Sequence, residues 1–508
     1  MEQSTEQIDP IESLTKECKL IQDIIHGSIG LTQFAVLIID TPQFQRLHEL
    51  KQLGTCYLVF PNAKHSRFEH SIGTYHLAGQ ILKTIATTTD PRDIGSYLES
   101  ITELKKYYTK TYRDSVHILD DYIIELIKIA ALCHDIGHGP FSHLFDDVFL
   151  PIVGKKDQYC SLHEERSAVL LEHIIKNNSF LASIINDDEI QFMKNLINPD
   201  PQIHKGFVYQ IVSNCLTGLD VDKFDYLARD VTMTKFEAKI DPTRLVKNIR
   251  ILYSEDETTK IKYPNIAYAV QVVDDIINLF TTRYRMHKNV YSHKVVIIIQ
   301  QMIIDMMLLL DDILDISDSI TDVDKFCNLT DSYILDGIKF IKTKYLTPDQ
   351  HQRYTQAKKI YDSLQKRELY ATIDVRTIDT KVDVDKLSCE IITQCNIAKD
   401  QLIIFQSKIG YVSGNKKNPL DSVLLYNTKD PTKTCKNRNS TTMLPKNHQE
   451  YILMVFYKRK HETNTVDVLR KFCESIDIST YFIRSYSQNI HNSHQDSTNY
   501  QPVIFLSQ

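Results

Sequence analysis

The chain has 508 residues, of which 42% are hydrophobic and 24% are charged. This composition is typical of a globular protein and excludes a disordered or fibrous one. The 59 basic and 65 acidic residues give a net charge of −6. A surface that is basic throughout and coats nucleic acid is therefore excluded, whereas a local basic cleft is not. The length predicts about three domains, or one large domain with appendages.

Three features of the sequence bear on the cellular location of the protein. The N-terminus carries several acidic residues and lacks the apolar core of a secretory signal. Residues 295–310 are the most apolar, but two glutamines and an aspartate interrupt them, so we expect a buried helix and no membrane span. Ten cysteines are scattered without a CxxC pair. We expect reduced thiols, no zinc knuckle and a cytoplasmic or nuclear location.

Hydrophobic patterning predicts a mainly α chain, with an all-helical body and a small C-terminal α+β lobe. Residues 1–17 are expected to be a flexible tail, and residues 18–345 the helical body. Thr41 followed by Pro42 indicates a helix start, because threonine caps helices and proline fits their first turn. An apolar period near that of a helix predicts a second helix over residues 72–85.

The middle of the body combines a polar segment with a very apolar one. Residues 87–120 are polar and rich in tyrosine and lysine, and we expect them to form an insertion or a surface hairpin. Residues 123–133 are apolar almost all round, which predicts a central helix. Gly137 and Gly139 are expected to break this helix.

Beyond about residue 370 the hydrophobic period becomes that of strands. The predicted elements are strands at residues 402–405, 422–426 and 451–457 and a helix at residues 465–475. We assign residues 346–483 to the C-terminal lobe. Residues 484–508 are rich in serine, asparagine, histidine and glutamine, and are expected to be a flexible tail.

The strongest chemical signal is LCHDIGHG, residues 132–139, which follows the predicted central helix. His134 and Asp135 lie about 100° apart on a helix, but can reach one ion where the helix ends. An imidazole with carboxylates suits a divalent Fe, Mn, Zn, Ni or Mg ion. His70 and Asp222 also lie in predicted helices, so four ligands from three helices would complete a site. Each residue alone has an ordinary explanation as a cap or a solvated side chain, and only the combination favours a metal site.

These residues lie in longer segments that carry a family resemblance. The segments are IDTPQFQRL (39–47), KQLG (51–54), FP (60–61), RFEHS (67–71), LCHDIGHGPFSH (132–143) and DVDKFDYLARD (220–230). Together they resemble the HD-domain deoxynucleoside triphosphate triphosphohydrolases, most of all the eukaryotic members that also carry a SAM domain. The likeness extends over residues 19–294 and, more weakly, through the C-terminal lobe. We expect no SAM domain upstream.

The resemblance implies a metal centre and a reaction. His70, His134, Asp135 and Asp222 would hold a divalent Fe, Zn, Mn or Mg ion. The family cuts a deoxynucleoside triphosphate (dNTP) between the α-phosphorus and the 5′ oxygen, which leaves a deoxynucleoside and intact triphosphate and lowers dNTP pools. The metal would polarise the phosphorus and acidify an attacking water.

The resemblance also implies a substrate site and a proton donor. The implied substrate-binding residues are Gln52, Leu53, Arg67, Lys223, Tyr226, Asp230, Arg283, His287 and Tyr291. Of these, the cations and Tyr226 would contact phosphates, Gln52 and Asp230 the 3′ hydroxyl, and Leu53 and Tyr291 the sugar at C2′, where a ribose hydroxyl would collide.

Histidines after the metal pair suit proton transfer, because imidazole titrates near neutral pH. We expect His143 to protonate the leaving 5′ oxygen with help from Asp146, and His138 and His163 to position water or phosphate. Arg67 would also act in catalysis. A purely structural role for His143 is the alternative.

Eukaryotic members of this family are activated by nucleotides at interfaces that join four chains. The matching residues are Lys19, Leu20, Asp40 and Gln45 for a guanine site, and Asp241, Arg244, His293 and Lys294 for a neighbouring dNTP site. We therefore expect GTP, dGTP and dNTPs as activators, and a homo-oligomer between dimer and tetramer. However, His48 and Asn289 replace family arginines and Gln22 an asparagine, which weakens the expected recognition of guanine and triphosphate.

Two other functions remain open. One is another HD phosphohydrolase, acting on mononucleotides, guanosine polyphosphate or a cyclic nucleotide. The other is a non-catalytic scaffold that binds nucleotides or, weakly, single-stranded nucleic acid. The complete sugar set of Gln52, Asp230 and Tyr291 favours dNTP hydrolysis over the first. The lack of a basic tract with interleaved aromatic residues argues against the second.

Overall fold

The computed structural model describes residues 9–112, 115–256, 260–411, 418, 420–435, 447–483 and 503–504. The chain is mainly α, as predicted, with a small sheet region towards the C-terminus. Among the described residues, no helix combines the length and apolar character needed to cross a bilayer. The predicted tail 484–508 lies outside the described residues except for 503–504.

The body begins with a short helix, a hairpin and the first long helix. Its first elements are α1 (Pro10–Thr15), β1 (Glu17–Asp23), β2 (Gly27–Thr32), α2 (Gln33–Ile39), α3 (Pro42–Gln45) and α4 (Arg67–Thr88). The next are α5 (Pro91–Ser100), α6 (Lys105–Thr111), α7 (Asp121–Cys133), α8 (Leu150–Ile152), α9 (His163–Asn177), α10 (Ser179–Ile184), α11 (Asp187–Ile197) and α12 (Val221–Thr234).

A second hairpin and the longest apolar helix complete the body. The remaining body elements are α13 (Pro242–Val246), β3 (Ile249–Glu255), β4 (Lys262–Ala269), α14 (Val273–Met286), α15 (Lys294–Leu314), α16 (Val323–Asn328), α17 (Asp331–Phe340) and α18 (Pro348–Gln365). The lobe contains β5 (Ala371–Ile378), α19 (Val384–Cys395), β6 (Leu402–Gly410), β7 (Leu424–Asn427), β8 (Asp430–Cys435), β9 (Gln449–Tyr457), α20 (Thr463–Ser475) and β10 (Val503–Ile504).

Three helices at the centre of the body position the site, and α4 packs against both α7 and α12. Ser66 starts α4, where its side chain and that of Glu69 satisfy each other's backbone N–H groups in a capping box. Asp120 and Asp220 cap α7 and α12 by accepting the N–H of the third residue beyond them. The central helix α7 is buried almost throughout, as its apolar sequence predicted.

Two sequence-based expectations about the body need correction. Part of the predicted tail is ordered, because Asp9 caps α1, Pro10 opens it and Leu14 is buried in the core. The body is also not all-helical, since β1–β2 and β3–β4 form antiparallel hairpins. These strands are short, and the burial of β1–β2 lies mainly in β2, so no long alternating pattern marked them.

The segment 87–120 is helical and packs on the body. It holds α5 and α6, whose Ile94, Leu98 and Tyr108 are buried in the main core. The hydroxyls of Tyr107 and Tyr112 both donate to Asp120 Oδ2 at 2.6 Å. The prediction of a surface hairpin is therefore wrong. The segment is polar overall, but its aromatic and aliphatic side chains are buried in the core.

The C-terminal lobe is a four-stranded antiparallel sheet in the order β10-β6-β9-β5 with α19 and α20. The strands predicted at 402–405 and 451–457 and the helix at 465–475 are confirmed. The run at 422–426 contributes β7, but β7 pairs in parallel with β4 of the body. Helix α18 lies in the range predicted for the lobe, residues 346–483. It packs against α15 of the body, so the body and the lobe share structure beyond residue 345.

Candidate active site

The four predicted metal ligands come from the three central helices. His70 lies one turn into α4, and Asp222 lies in the first turn of α12. His134 is the C-cap of α7, and Asp135 follows it where the chain turns. The starts of α4 and α12 thus meet the end of α7, so that side chains far apart in sequence face one point.

The ligand atoms of this cluster lie close together. His70 Nε2 is 3.2 Å from Asp222 Oδ1 and 3.4 Å from Asp135 Oδ2. His134 Nε2 is 3.6 Å from Asp222 Oδ1 and 3.4 Å from Asp135 Oδ1. Both Nε2 atoms are buried and make no hydrogen bond with the described residues, which is costly unless another group satisfies them. Two imidazole nitrogens and two carboxylates fit a divalent cation.

The charges of the cluster favour a cation. Burial alone would raise the pKa of Asp222, but the nearby imidazoles of His134 and His70 hold it well below the ordinary value. Asp222 is therefore ionised at neutral pH. An ionised carboxylate is the form that binds a metal.

The second nitrogen of each histidine ligand is held by a neighbour. His134 Nδ1 donates to the carbonyl oxygen of Ala131 at 2.8 Å. His70 Nδ1 contacts Asp225 Oδ2 at 2.8 Å. Such bonds direct Nε2 towards a metal. Sequence reasoning missed Asp225, although its position three residues after Asp222, on the same helical face, could have indicated it.

Arg67 links the metal cluster to the loop after α7. Its guanidinium pairs with Asp135, and its Nε donates to Ser142 Oγ at 3.0 Å. Arg67 is buried although it is charged, so the carboxylate of Asp135 is balanced inside the protein.

The other histidines form a second cluster beside the metal ligands. His138 Nδ1 is 3.2 Å from Asp135 Oδ1. The ring centroids of His138 and His163 lie 3.8 Å apart. His163 Nδ1 contacts Asp146 Oδ2 at 3.0 Å. The remaining oxygen of Asp146 accepts a hydrogen bond from Arg166.

The predicted help of Asp146 to His143 stays a prediction, since Asp146 bonds other side chains and acts on His143 through its charge. Both oxygens of Asp146 are used by His163 and Arg166. The carboxylate nearest to His143 in the structure is that of Asp147, with Oδ2 3.7 Å from Nδ1. A spacing of four residues brings Asp147 to the helical face of His143, whereas Asp146 is turned towards α9.

Two histidines of this cluster have opposite protonation states at neutral pH. Burial alone would lower the pKa of His163, but the carboxylates of Glu164 and Asp146 outweigh it and raise this pKa to about 9. Desolvation, together with the nearby His163 and Arg67 cations, lowers the pKa of His143 to about 4. In the free site the proton therefore resides on His163.

All nine predicted substrate residues line one cleft that also contains His134, Asp135 and Asp222. One wall is cationic, because Arg67, Lys223 and Arg283 are buried there. Arg283 is anchored to the C-terminal lobe by donating to Gly410 O at 2.9 Å. A cleft with buried cations beside a metal-type cluster suits a phosphorylated ligand.

A second part of the cleft carries the residues predicted to contact the sugar. Asp230 Oδ1 contacts His65 Nε2 at 2.7 Å, and Asp230 Oδ2 accepts from the Tyr291 hydroxyl at 2.5 Å. Gln52 Oε1 is buried and makes no hydrogen bond within the part of the chain that the structure describes. His65 was missed by sequence reasoning, because no short motif connects it to a residue 165 positions away.

The residues predicted to bind activators lie at the surface of the body. Lys19 is 3.9 Å from Asp40, and Leu20 is 71% exposed on β1. Gln45 donates to Ile39 O at 2.9 Å and so lies near Asp40. The four residues predicted to form the guanine site thus lie on one exposed surface.

Of the other four predicted activator residues, Asp241, Arg244 and His293 have partners within the chain. Arg244, on α13 just after Asp241, pairs with Asp275. His293 caps α15, which Lys294 opens.

Comparison with known proteins identifies relatives along most of the chain. A family model described as the HD domain matches residues 67–230. The chain is 40% identical over 420 residues to the HD domain-containing protein L394 of Acanthamoeba polyphaga mimivirus. This alignment covers 80% of this chain and 85% of that protein. It is 32% identical over 475 residues to the deoxynucleoside triphosphate triphosphohydrolase SAMHD1 homolog of Dictyostelium discoideum, and the alignment covers 92% of this chain and 83% of that protein. It is 30% identical over 501 residues to SAMHD1 of Danio rerio, and the alignment covers 90% of this chain and 74% of that protein.

Proposed function

Since the chain belongs to the SAMHD1-related family of HD-domain phosphohydrolases, we propose that it hydrolyses dNTPs to a deoxynucleoside and inorganic triphosphate. The observation that carries this proposal is a single cleft lined by three of the four metal-type ligands, with His70 directly behind two of them, by buried cations and by the residues predicted to contact the sugar. Metal-ligating residues alone would suit many phosphohydrolases. The additional sugar-facing residues favour a dNTP.

The proposed cation is held by His70, His134, Asp135 and Asp222 and is Fe, Zn, Mn or Mg. When bound, it supplies a Lewis acid that polarises the phosphoryl group. The chain itself holds this centre in place through Asp225 and Arg67, which bond His70 and Asp135 from behind.

We expect the triphosphate to lie along the cationic wall. Lys223 and Arg283 are buried and carry charge towards the cleft, where phosphate oxygens gain charge-assisted hydrogen bonds. Tyr226 lines the same part of the cleft. These groups position the α-phosphorus for attack and compensate its charge.

The leaving group needs a proton. In the proposed step, water adds to the α-phosphorus and releases one proton to solvent, the bond from phosphorus to the 5′ oxygen breaks, and the 5′ oxygen takes a proton from His143. His143 is neutral in the free site, because its pKa is about 4. The negative charge of a bound triphosphate raises the pKa of a nearby imidazole, so substrate itself loads His143 with its proton. His163 and Asp146 support this array.

Selection of deoxyribose is proposed to come from four residues. Gln52 and Asp230 hydrogen-bond the 3′ hydroxyl, and Gln52 Oε1 is a buried acceptor without a partner among the described residues. Leu53 and Tyr291 close the space at C2′. A ribonucleotide then collides there or leaves its 2′ hydroxyl unpaired.

Regulation and assembly are a further part of the proposal. We expect a homo-oligomer between dimer and tetramer, with GTP, dGTP or dNTPs bound at subunit interfaces. The exposed surface of Lys19, Leu20, Asp40 and Gln45 would contact guanine. His48 stacks on Phe68 with ring centroids 3.7 Å apart, so it is engaged within the chain. Equal turnover of dCTP with and without GTP or dGTP would show that activation is lost.

Product analysis tests the reaction. Each dNTP is incubated with the protein and a divalent metal, and the products are separated by chromatography. We expect deoxynucleoside and triphosphate. His134→Ala and Asp135→Ala should abolish turnover, whereas His173→Ala, on α9 outside the cleft, should retain it. Release of dNDP and phosphate would contradict the proposal in favour of another phosphohydrolase, and nucleotide binding without turnover would favour a scaffold.

A further inference from the structure

The turn between β1 and β2 reaches Asp225, the carboxylate that contacts His70 behind the metal cluster. His26 in this turn has its Nε2 2.7 Å from Asp225 Oδ1. The side chain of His26 is 7% exposed and that of Asp225 is fully buried. A residue outside the matched HD segment 67–230 therefore contacts the carboxylate that holds His70.

Asp225 is saturated by its neighbours. Oδ1 contacts His26 and accepts from Arg229 at 2.9 Å, while Oδ2 contacts His70 Nδ1 at 2.8 Å and accepts from Arg229 at 2.9 Å. The two imidazoles thus lie on opposite oxygens of one carboxylate. Rotation of this carboxylate would break both contacts, so His26 and Arg229 together fix its plane.

The turn is itself fixed to α12. Asp23 Oδ1 accepts the backbone N–H groups of Ile25 at 2.8 Å and His26 at 2.9 Å. Its Oδ2 accepts from Arg229 at 2.8 Å. His26 is therefore held by the same arginine that holds Asp225, and the hairpin and α12 form one hydrogen-bonded unit.

The space beside Asp225 is built for this arrangement. A Cβ at Gly73 of α4 would lie 1.9 Å from Asp225 Oδ1 and 2.7 Å from Arg229. A side chain at this position, one turn after His70, would displace the carboxylate. The absence of a side chain at Gly73 lets Asp225 stand between the hairpin and His70.

We propose that the β1–β2 turn belongs to the outer shell of the metal centre, and that His26 is a positioning residue that orients Asp225 so that Asp225 aims His70 at the cation. This inference rests on the proposed function only in that His70 is taken to bind a divalent cation. It extends the centre to a hairpin whose strand β1 also carries the exposed Lys19 and Leu20.

The test compares two nearly isosteric substitutions at one position. In His26→Gln the side-chain amide nitrogen can occupy the place of Nε2 and keep the bond to Asp225. In His26→Asn the shorter amide cannot reach it. His76→Asn is the matched control, because His76 packs beside His26 with ring centroids 5.2 Å apart.

Metal affinity is measured on the full chain by chelator competition with Co²⁺, together with the visible Co²⁺ spectrum, which reports ligand geometry. We expect His26→Asn to bind Co²⁺ about tenfold more weakly and to shift the spectrum, because loss of an outer partner typically weakens metal binding by that order. His26→Gln and His76→Asn should match the unchanged protein.

Each contrary result has a definite meaning. If His26→Asn binds Co²⁺ as well as the unchanged protein, the inference is wrong while the proposed metal centre stands. If His76→Asn loses as much affinity, His26 acts by packing alone and the inference is again wrong. If the unchanged protein binds no Co²⁺, the proposed metal centre fails, and this inference fails with it.

Discussion

His143 and His163 show how neighbouring side chains, and not residue type, set the chemistry of an imidazole. His163 lies between the carboxylates of Asp146 and Glu164 and keeps its proton. His143 faces the cleft beside cations and loses its proton. Two residues of the same type thus start the proposed reaction in different forms, which is a common way to separate acid and base roles.

The raised pKa of His163 predicts a pH-dependent contribution to stability. The folded-state value of about 9 lies above the ordinary 6.5, so folding takes up a proton. The resulting stabilisation, about 3 kcal/mol, is fully present below pH 6.5 and is lost as pH rises through 9. Urea unfolding of the unchanged protein and of His163→Gln should therefore differ most near pH 6 and least near pH 10. A difference that does not change with pH would contradict this assignment.

At the scale of elements, the loop after α7 is held by a helix far along the chain. Asp331, the first residue of α17, accepts the backbone N–H of Phe141 at 2.6 Å and of Lys51 at 2.9 Å. Phe141 and Ser142 have φ values of 60° and 61°, which non-glycine residues rarely adopt. The Asp331 carboxylate therefore keeps a strained turn in place directly before His143.

Loss of this clamp should affect the proposed site at two points. Asp331→Ala leaves two buried N–H groups without an acceptor, which costs about 3 kcal/mol of unfolding free energy. It also frees the turn before His143 and the loop that carries Gln52. We expect kcat to fall about tenfold or more and selection against ribonucleotides to weaken.

The matched control is Asp336→Ala on the same helix, since Asp336 is exposed and contacts only Lys339 among the partners described for it. It should leave both unfolding and kinetics unchanged. Asp331→Ala with normal kcat and normal sugar selection, measured with dNTP and rNTP pairs, would show that the clamp does not position the site.

At the scale of the whole molecule, the body and the lobe are joined by shared structure. The sheet β3-β4-β7-β8 crosses the boundary, since β4 and β7 pair in parallel. Tyr284 of α14 stacks on Tyr411 with ring centroids 5.3 Å apart. The lobe also completes the cleft, because Phe405 of β6 lines it and Gly410 anchors Arg283.

This continuity predicts that the described body and lobe unfold together. A shared sheet and a shared core do not let one part lose its packing while the other keeps it. Calorimetry should show one transition, and far-UV and near-UV circular dichroism should change at the same temperature. Two separated transitions would show that the lobe is an independent folding unit.

Local patterns in the sequence were sufficient for several helices and for the candidate ligands. Caps and apolar periods depend on residues a few positions apart, and these predicted α4, α7 and the strands β6 and β9. The motifs around residues 70, 134 and 222 named side chains that the structure brings to one point.

Only the tertiary structure decided which side chains support that point. The bonds from His26 to Asp225, from His65 to Asp230 and from Asp331 to Phe141 join residues 199, 165 and 190 positions apart. No periodicity or capping rule spans such distances, because these contacts depend on how whole helices pack. Residue type and spacing therefore determined the candidate ligands, whereas packing determined their orientation, their protonation and their supports.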